Sequence, residues 1–119
     1  MKYLLLVAHG SRRQESNEEV RELAQSLDSR SSDFDEVGAA FLEIAEPLIP
    51  DGIVKAIEKG ATEVVVFPYF LSAGRHVVED VPADVDSVKE KYPDVKINIA
   101  PYLGESSKLL GVILEMANK

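Results

Sequence analysis

This 119-residue chain contains only two imidazoles, His9 in "LLLVAHGSRR" and His76 in "PYFLSAGRH". Histidine is the side chain whose ordinary charge change falls near neutral pH, so either one is a candidate proton acceptor. Two imidazoles joined by a carboxylate would instead form a borderline-soft metal site, suited to Co²⁺, Ni²⁺, Fe²⁺ or Zn²⁺. Glu43 and Glu46 in "FLEIAEP" are the carboxylates that could join them. Ser11, Arg12 and Arg13 follow His9 and could hold an anion near the first helix. Ser72, Ala73 and Gly74 give the backbone room to approach a ligand closely. Each feature also has an ordinary counterpart: a surface histidine, a solvated or capping glutamate, surface arginines, a flexible turn. What separates the two sets of readings is whether the fold brings His9 and His76 together.

The elements that would position them alternate regularly. Tyr3–Ala8 is a short continuous apolar run, as in a strand buried on both faces. Val20, Leu23, Ala24 and Leu27 recur at helical spacing and predict a helix from about Glu15 to Ser29. Glu36–Leu42 is a second strand, weakened by Gly38 and two alanines. Ile53, Ala56 and Ile57 mark a second helix, with Pro50 and Asp51 at its start and Gly60 at its end. Glu63–Pro68 is the clearest strand, since three valines and a phenylalanine favour the extended state. Val81, Val85, Val88 and Tyr92 give a third helix, Val95–Ala100 a fourth strand, and Leu109, Val112, Ile113 and Met116 a fourth helix.

Such alternation predicts an α/β fold: a four-stranded parallel sheet with helices on both faces. With the first strand central, the second on one side and the third on the other, a crevice opens beyond the carboxyl ends of strands one and three. His9 follows strand one, Glu43 follows strand two, and His76 lies in the loop after strand three. All three fall at one edge of the sheet.

Composition narrows the function classes. With 13 basic and 21 acidic residues the net charge is −8. A chain so acidic repels phosphate backbones, so nucleic acid is excluded as an expected partner. The absence of cysteine removes thiolate ligands and thiol catalysis, and fits a reducing cytoplasm. No segment approaches the roughly 20 apolar residues of a membrane span, so no membrane partner is expected.

Three stretches, "VAHGSRR", "AFLEIAEP" and "VVVFPYFLSAGRHVVEDVP", together with the four-strand layout, resemble the small class II tetrapyrrole chelatases. These are the short sirohydrochlorin chelatases of the CbiX and SirB type, which insert cobalt, iron or nickel. The resemblance covers essentially the whole chain and implies a single chelatase domain over residues 1–119, comparable to one half of the larger, fused members. It implies that His9 is a metal ligand and the proton acceptor, and His76 the second ligand. Glu43 would face the metal path and Glu46 would contact substrate. Leu71, Ser72, Ala73, Gly74, Arg75 and His76 would lie against the macrocycle, whose carboxylates could meet Arg12, Arg13 and Arg75. Tyr69, Phe70 and Leu71 could supply apolar surface to a ring face. No permanently bound cofactor is implied; the divalent ion, Co²⁺ foremost, is a substrate, and the product would serve cobalamin, siroheme or a nickel cofactor. The short form works as a homodimer. The histidine-rich insertion that some archaeal short forms carry before the last strand is missing from "KYPDVKINIA".

Two rivals remain. A metal or tetrapyrrole carrier would use the same ligands without turnover. A histidine phosphatase also places His-Gly after its first strand, but it needs an arginine directly before the histidine, and this chain has Ala8.

Overall fold

β-Branched and leucine-rich runs form four strands, and the parallel pairing predicted from their alternation with helices is the one observed. The computed structural model describes residues 1–119. In chain order it contains β1 (Lys2–Ala8), α1 (Gln14–Arg30), β2 (Glu36–Phe41), α2 (Ile49–Glu58), β3 (Glu63–Pro68), α3 (Val81–Lys89), β4 (Lys96–Ile99) and α4 (Lys108–Ala117). The sheet order is β2-β1-β3-β4, all parallel. The first strand therefore lies between the second and third, as a doubly wound sheet requires.

Register fixes what emerges at the carboxyl edge. Ala8 stands opposite Phe41, and Val7 opposite Pro68. His9, the residues after Phe41, and Tyr69 thus leave the sheet at one level. Side chains alternate between faces with period two. Leu5, Val7, Val64, Val66 and Ile97 pack under α2 and α3 with Ile49, Ile53, Ala56, Val81, Val85 and Val88, forming the main core. Leu6 points to the other face and meets Ala24 of α1 and Val37. A third cluster, Ala8, Phe41 and Ala45, seals the edge from which the site emerges.

One expectation is corrected. His76 does not sit in a loop: it opens a π-helical turn (His76–Asp80) that runs straight into α3. Val81 N–H closes this wide turn on the His76 carbonyl. Pro82 has no N–H to offer the tighter i→i−4 pattern, which suits a widened turn at that point. The fourth helix forms as its periodicity predicts, yet it covers neither face of the sheet: no residue of α4 is buried.

Candidate functional site

The loop after β1 is pressed against the loop after β2. Gly10 has φ 97°, a conformation open mainly to glycine, and a Cβ placed there would lie 1.9 Å from the Glu43 carbonyl oxygen. Glu43 N–H donates to the His9 carbonyl at 3.1 Å, and Ala45 N–H donates to the Glu43 carbonyl at 2.8 Å. Between them Ile44 has φ 73° and is 56% exposed. A β-branched residue in that region is strained, and such strain gathers at functional sites. Asn17, 1% exposed, fixes the other flank. Its Oδ1 accepts from Ser11 N–H at 2.9 Å, and its Nδ2 donates to the Ser11 carbonyl at 2.8 Å.

This backbone brings the predicted residues together. His9 Nε2 is 3.0 Å from Glu43 Oε1. The rings of His9 and His76 meet edge to face, with centroids 4.4 Å apart. His76 Nδ1 is 2.7 Å from Asp80 Oδ2, one helical turn on. A carboxylate only accepts, so Asp80 holds the His76 Nδ1 proton and leaves Nε2 with the lone pair. By the same argument Glu43 holds the proton of His9 Nε2 and leaves Nδ1 basic. Phe70 stacks on His76 at 6.5 Å, at an interplanar angle of 26°.

The surroundings are acidic and open. Leu42, Glu43, His76, Asp80, Ala83 and Asp84 line a hollow of about 220 Å³. Burial, and then the charge of Asp80, push the Asp84 carboxyl above its ordinary value. Both imidazoles remain partly exposed, 45% for the His9 side chain and 42% for His76. No three His, Asp or Glu side chains converge to enclose an ion. The two imidazoles thus stand in contact with each other on an open surface, each with one ring nitrogen not engaged by a carboxylate. Enclosed small-molecule pockets are typically about 300–1,000 Å³, so this hollow is one wall of a site for anything larger.

Residues 3–119 match the CbiX family model. The chain belongs to the CbiX family. It is 36% identical over 116 residues to the sirohydrochlorin cobaltochelatase of Sulfolobus acidocaldarius, covering 98% of this chain and 89% of that one. It is 34% identical over 110 residues to the chloroplastic sirohydrochlorin ferrochelatase of Arabidopsis thaliana, covering 92% of this chain but only 48% of that one. The chain thus spans about half the length of the plant relative. A crystal structure of a cobalamin (vitamin B12) biosynthesis CbiX protein from Marinobacter aquaeolei VT8 superposes with TM-score 0.84 at 28% identity, covering 99% and 95% of the two chains.

Other residues of this CbiX chain lie around the histidine pair or away from it. Leu71 is 70% exposed, and Tyr69 and Phe70 form with it an apolar lip beside His76. Ser72, Ala73 and Gly74 are exposed, and a Cβ at Gly74 would meet nothing within 4 Å. Arg75 is 80% exposed and pairs with Glu79, one helical turn on, at 3.6 Å. Arg13 pairs with Glu15, whereas Arg12 makes no ion pair. Glu46 does not join the histidines: it lines a hollow with Asp51, Lys55 and Glu58 against α2, and its carbonyl accepts from Arg21. Sequence reasoning missed Asp80, although its i+4 spacing from His76 was there to read. It also missed Asn17, whose helical position hides a role that depends on the loop folding back.

Proposed function

We propose that this chain is a cytoplasmic sirohydrochlorin chelatase that inserts a divalent ion, Co²⁺ foremost, into the tetrapyrrole. The observation that carries the reading is the edge-to-face contact of His9 and His76, each oriented by its own carboxylate, beside an apolar lip. The sirohydrochlorin cobaltochelatase of Sulfolobus acidocaldarius, which this chain covers over 89% of its length, supports the substrate and favours cobalt over iron and nickel.

Insertion exchanges one hydrated M²⁺ for two pyrrole N–H protons, giving the metallated ring and two H⁺. His9 Nδ1 and His76 Nε2 replace water on the ion, and open positions remain for the incoming pyrrole nitrogens. His9 accepts a pyrrole proton once the ion has left it, and neutral imidazole suits that step near neutral pH. Glu43 and Asp80 hold the two rings in the tautomers this needs. Glu43, Asp80 and Asp84 lower the potential at the approach and draw the cation in. The macrocycle lies on Phe70 and Leu71, and Arg12 and Arg75 meet its carboxylates. The ion is substrate, and no resident cofactor takes part. A second copy supplies the other wall, since one unit leaves the ring half exposed.

Absorbance of sirohydrochlorin with Co²⁺, Ni²⁺ or Fe²⁺ under anaerobic conditions tests the reading. Protein at one-twentieth of the substrate should convert many equivalents, fastest with Co²⁺. Conversion that halts at one equivalent would make the chain a carrier.

A further inference from the structure

Ile44 is the one non-glycine residue of the chain with positive φ, 73°. A β-branched side chain is the least suited to that region, because both of its γ-branches crowd the neighbouring backbone. The same side chain is 56% exposed, so it adds little to the core. Asparagine or glycine would enter this conformation readily and would leave no apolar surface in water. Folding alone therefore gives no reason for an isoleucine here.

The loop holds its shape through other groups. Glu43 N–H donates to the His9 carbonyl, and Ala45 N–H to the Glu43 carbonyl. Arg21 donates to the Glu46 carbonyl at 2.8 Å, and Phe41 N–H to the Pro47 carbonyl at 2.9 Å. Ala45 is buried with Ala8 and Phe41. A strained residue persists only where its surroundings over-determine it in this way, and such residues gather at ligand sites.

Its neighbours say what ligand surface it suits. Glu43 touches His9, the two imidazoles touch each other, and Phe70 stacks on His76. The side chains thus run in the order Glu43, His9, His76, Phe70. Exposed aliphatic residues stand at both ends of that row, Ile44 next to Glu43 and Leu71 next to Phe70. Glu43, Asp80 and Asp84 make the ground between them acidic and would repel the carboxylates of a tetrapyrrole. Apolar contact with the ring itself is the attraction left at the Glu43 end.

We infer that Ile44 is a macrocycle contact, bearing on the apolar face of the tetrapyrrole at the Glu43 end of the histidine pair as Phe70 and Leu71 do at the other end. The strain at Ile44 is stability given up for that contact. The inference rests on the chelatase reading above and adds a residue that sets how the ring is held, not how the ion is bound.

Opposite signs in stability and binding supply the test. Ile44→Asn should unfold at a urea concentration equal to or above that of wild type, since asparagine relieves the strain and little burial is lost. It should bind metal-free sirohydrochlorin, followed by fluorescence quenching, about 10-fold more weakly, as removal of one large aliphatic contact predicts. Ile44→Leu keeps an apolar side chain and should recover most of that binding. Calorimetry should give both variants the wild-type affinity for Co²⁺ in the absence of the ring, because His9, Glu43 and His76 are untouched. Wild-type ring binding by Ile44→Asn would overturn the inference, as would a leucine variant that binds no better than asparagine. A lower urea midpoint for Ile44→Asn, or Co²⁺ affinity that falls in step with ring binding, would overturn it too, by making Ile44 a support for the loop. These outcomes are distinct from failure of the chelatase reading: a wild-type chain that binds no sirohydrochlorin would overturn that reading, and this contact with it.

Discussion

Replacing Gly10 with alanine tests how tightly the site depends on the contact between the β1 and β2 loops. The added Cβ would stand 1.9 Å from the Glu43 carbonyl oxygen, against 3.4 Å for ordinary contact, so the two loops must separate by about 1.5 Å. The oxygen cannot yield alone. It accepts from Ala45 N–H, Glu43 N–H is tied to the His9 carbonyl, and Ala45 is buried against Ala8 and Phe41. Alanine at φ 97° adds roughly 1–2 kcal/mol of backbone strain. Forced separation of packed backbone adds about 1–3 kcal/mol. The sum, about 2–5 kcal/mol, is less than the usual 5–15 kcal/mol of a folded domain, so the variant should fold and melt about 8–20 °C lower. Because separation of 1 Å at reacting groups can lower rates about 100-fold, metal insertion should fall by about that factor. Urea titration followed by far-ultraviolet dichroism measures the first effect, and sirohydrochlorin absorbance the second. A Gly10→Ala protein with wild-type stability and wild-type turnover would refute the reasoning.

Other substitutions separate the remaining roles. Asn17→Ala strands the Ser11 N–H and carbonyl, so urea denaturation should show a loss of about 2 kcal/mol, and a loss under a few tenths would make the clamp ornamental. Glu43→Gln and Asp80→Asn should each lower kcat more than macrocycle binding, because each carboxylate acts through the ring it orients; weaker binding with unchanged kcat would move that residue to the substrate contacts. Asp84 has a raised folded-state value, so its ionisation opposes folding: the stability its neutral form contributes is present in acid and lost as pH rises through that value. Asp84→Asn should therefore unfold at higher urea than wild type at pH 7, the difference shrinking toward pH 3; a constant difference would point to packing instead.

Much of this architecture could be read from residue order. Glu63–Pro68 declares itself because three valines and a phenylalanine leave little alternative to a strand, and its observed bounds are the predicted ones. The meeting of His9, Glu43 and His76 follows from topology alone: in a parallel sheet, residues after consecutive strands emerge at one edge. Local backbone detail was less accessible. The π-turn at His76 depends on which carbonyl Val81 reaches, which apolar periodicity does not encode. The pressure of Gly10 on Glu43 depends on a loop–loop distance that appears only once the sheet is assembled. Periodicity identified α4 as a helix through Leu109, Val112, Ile113 and Met116, but a period names an apolar face and not the surface that receives it.

The claim that matters most is that His9 and His76 together handle the ion. Initial rates of Co²⁺ insertion into sirohydrochlorin should be measured for wild type, His9→Ala and His76→Ala, with near-ultraviolet dichroism and macrocycle binding recorded on the same preparations. Both side chains are partly exposed, so each variant should keep its fold and bind the macrocycle, while insertion falls by about 100-fold or more. Near-normal insertion by either folded variant would contradict the two-histidine account.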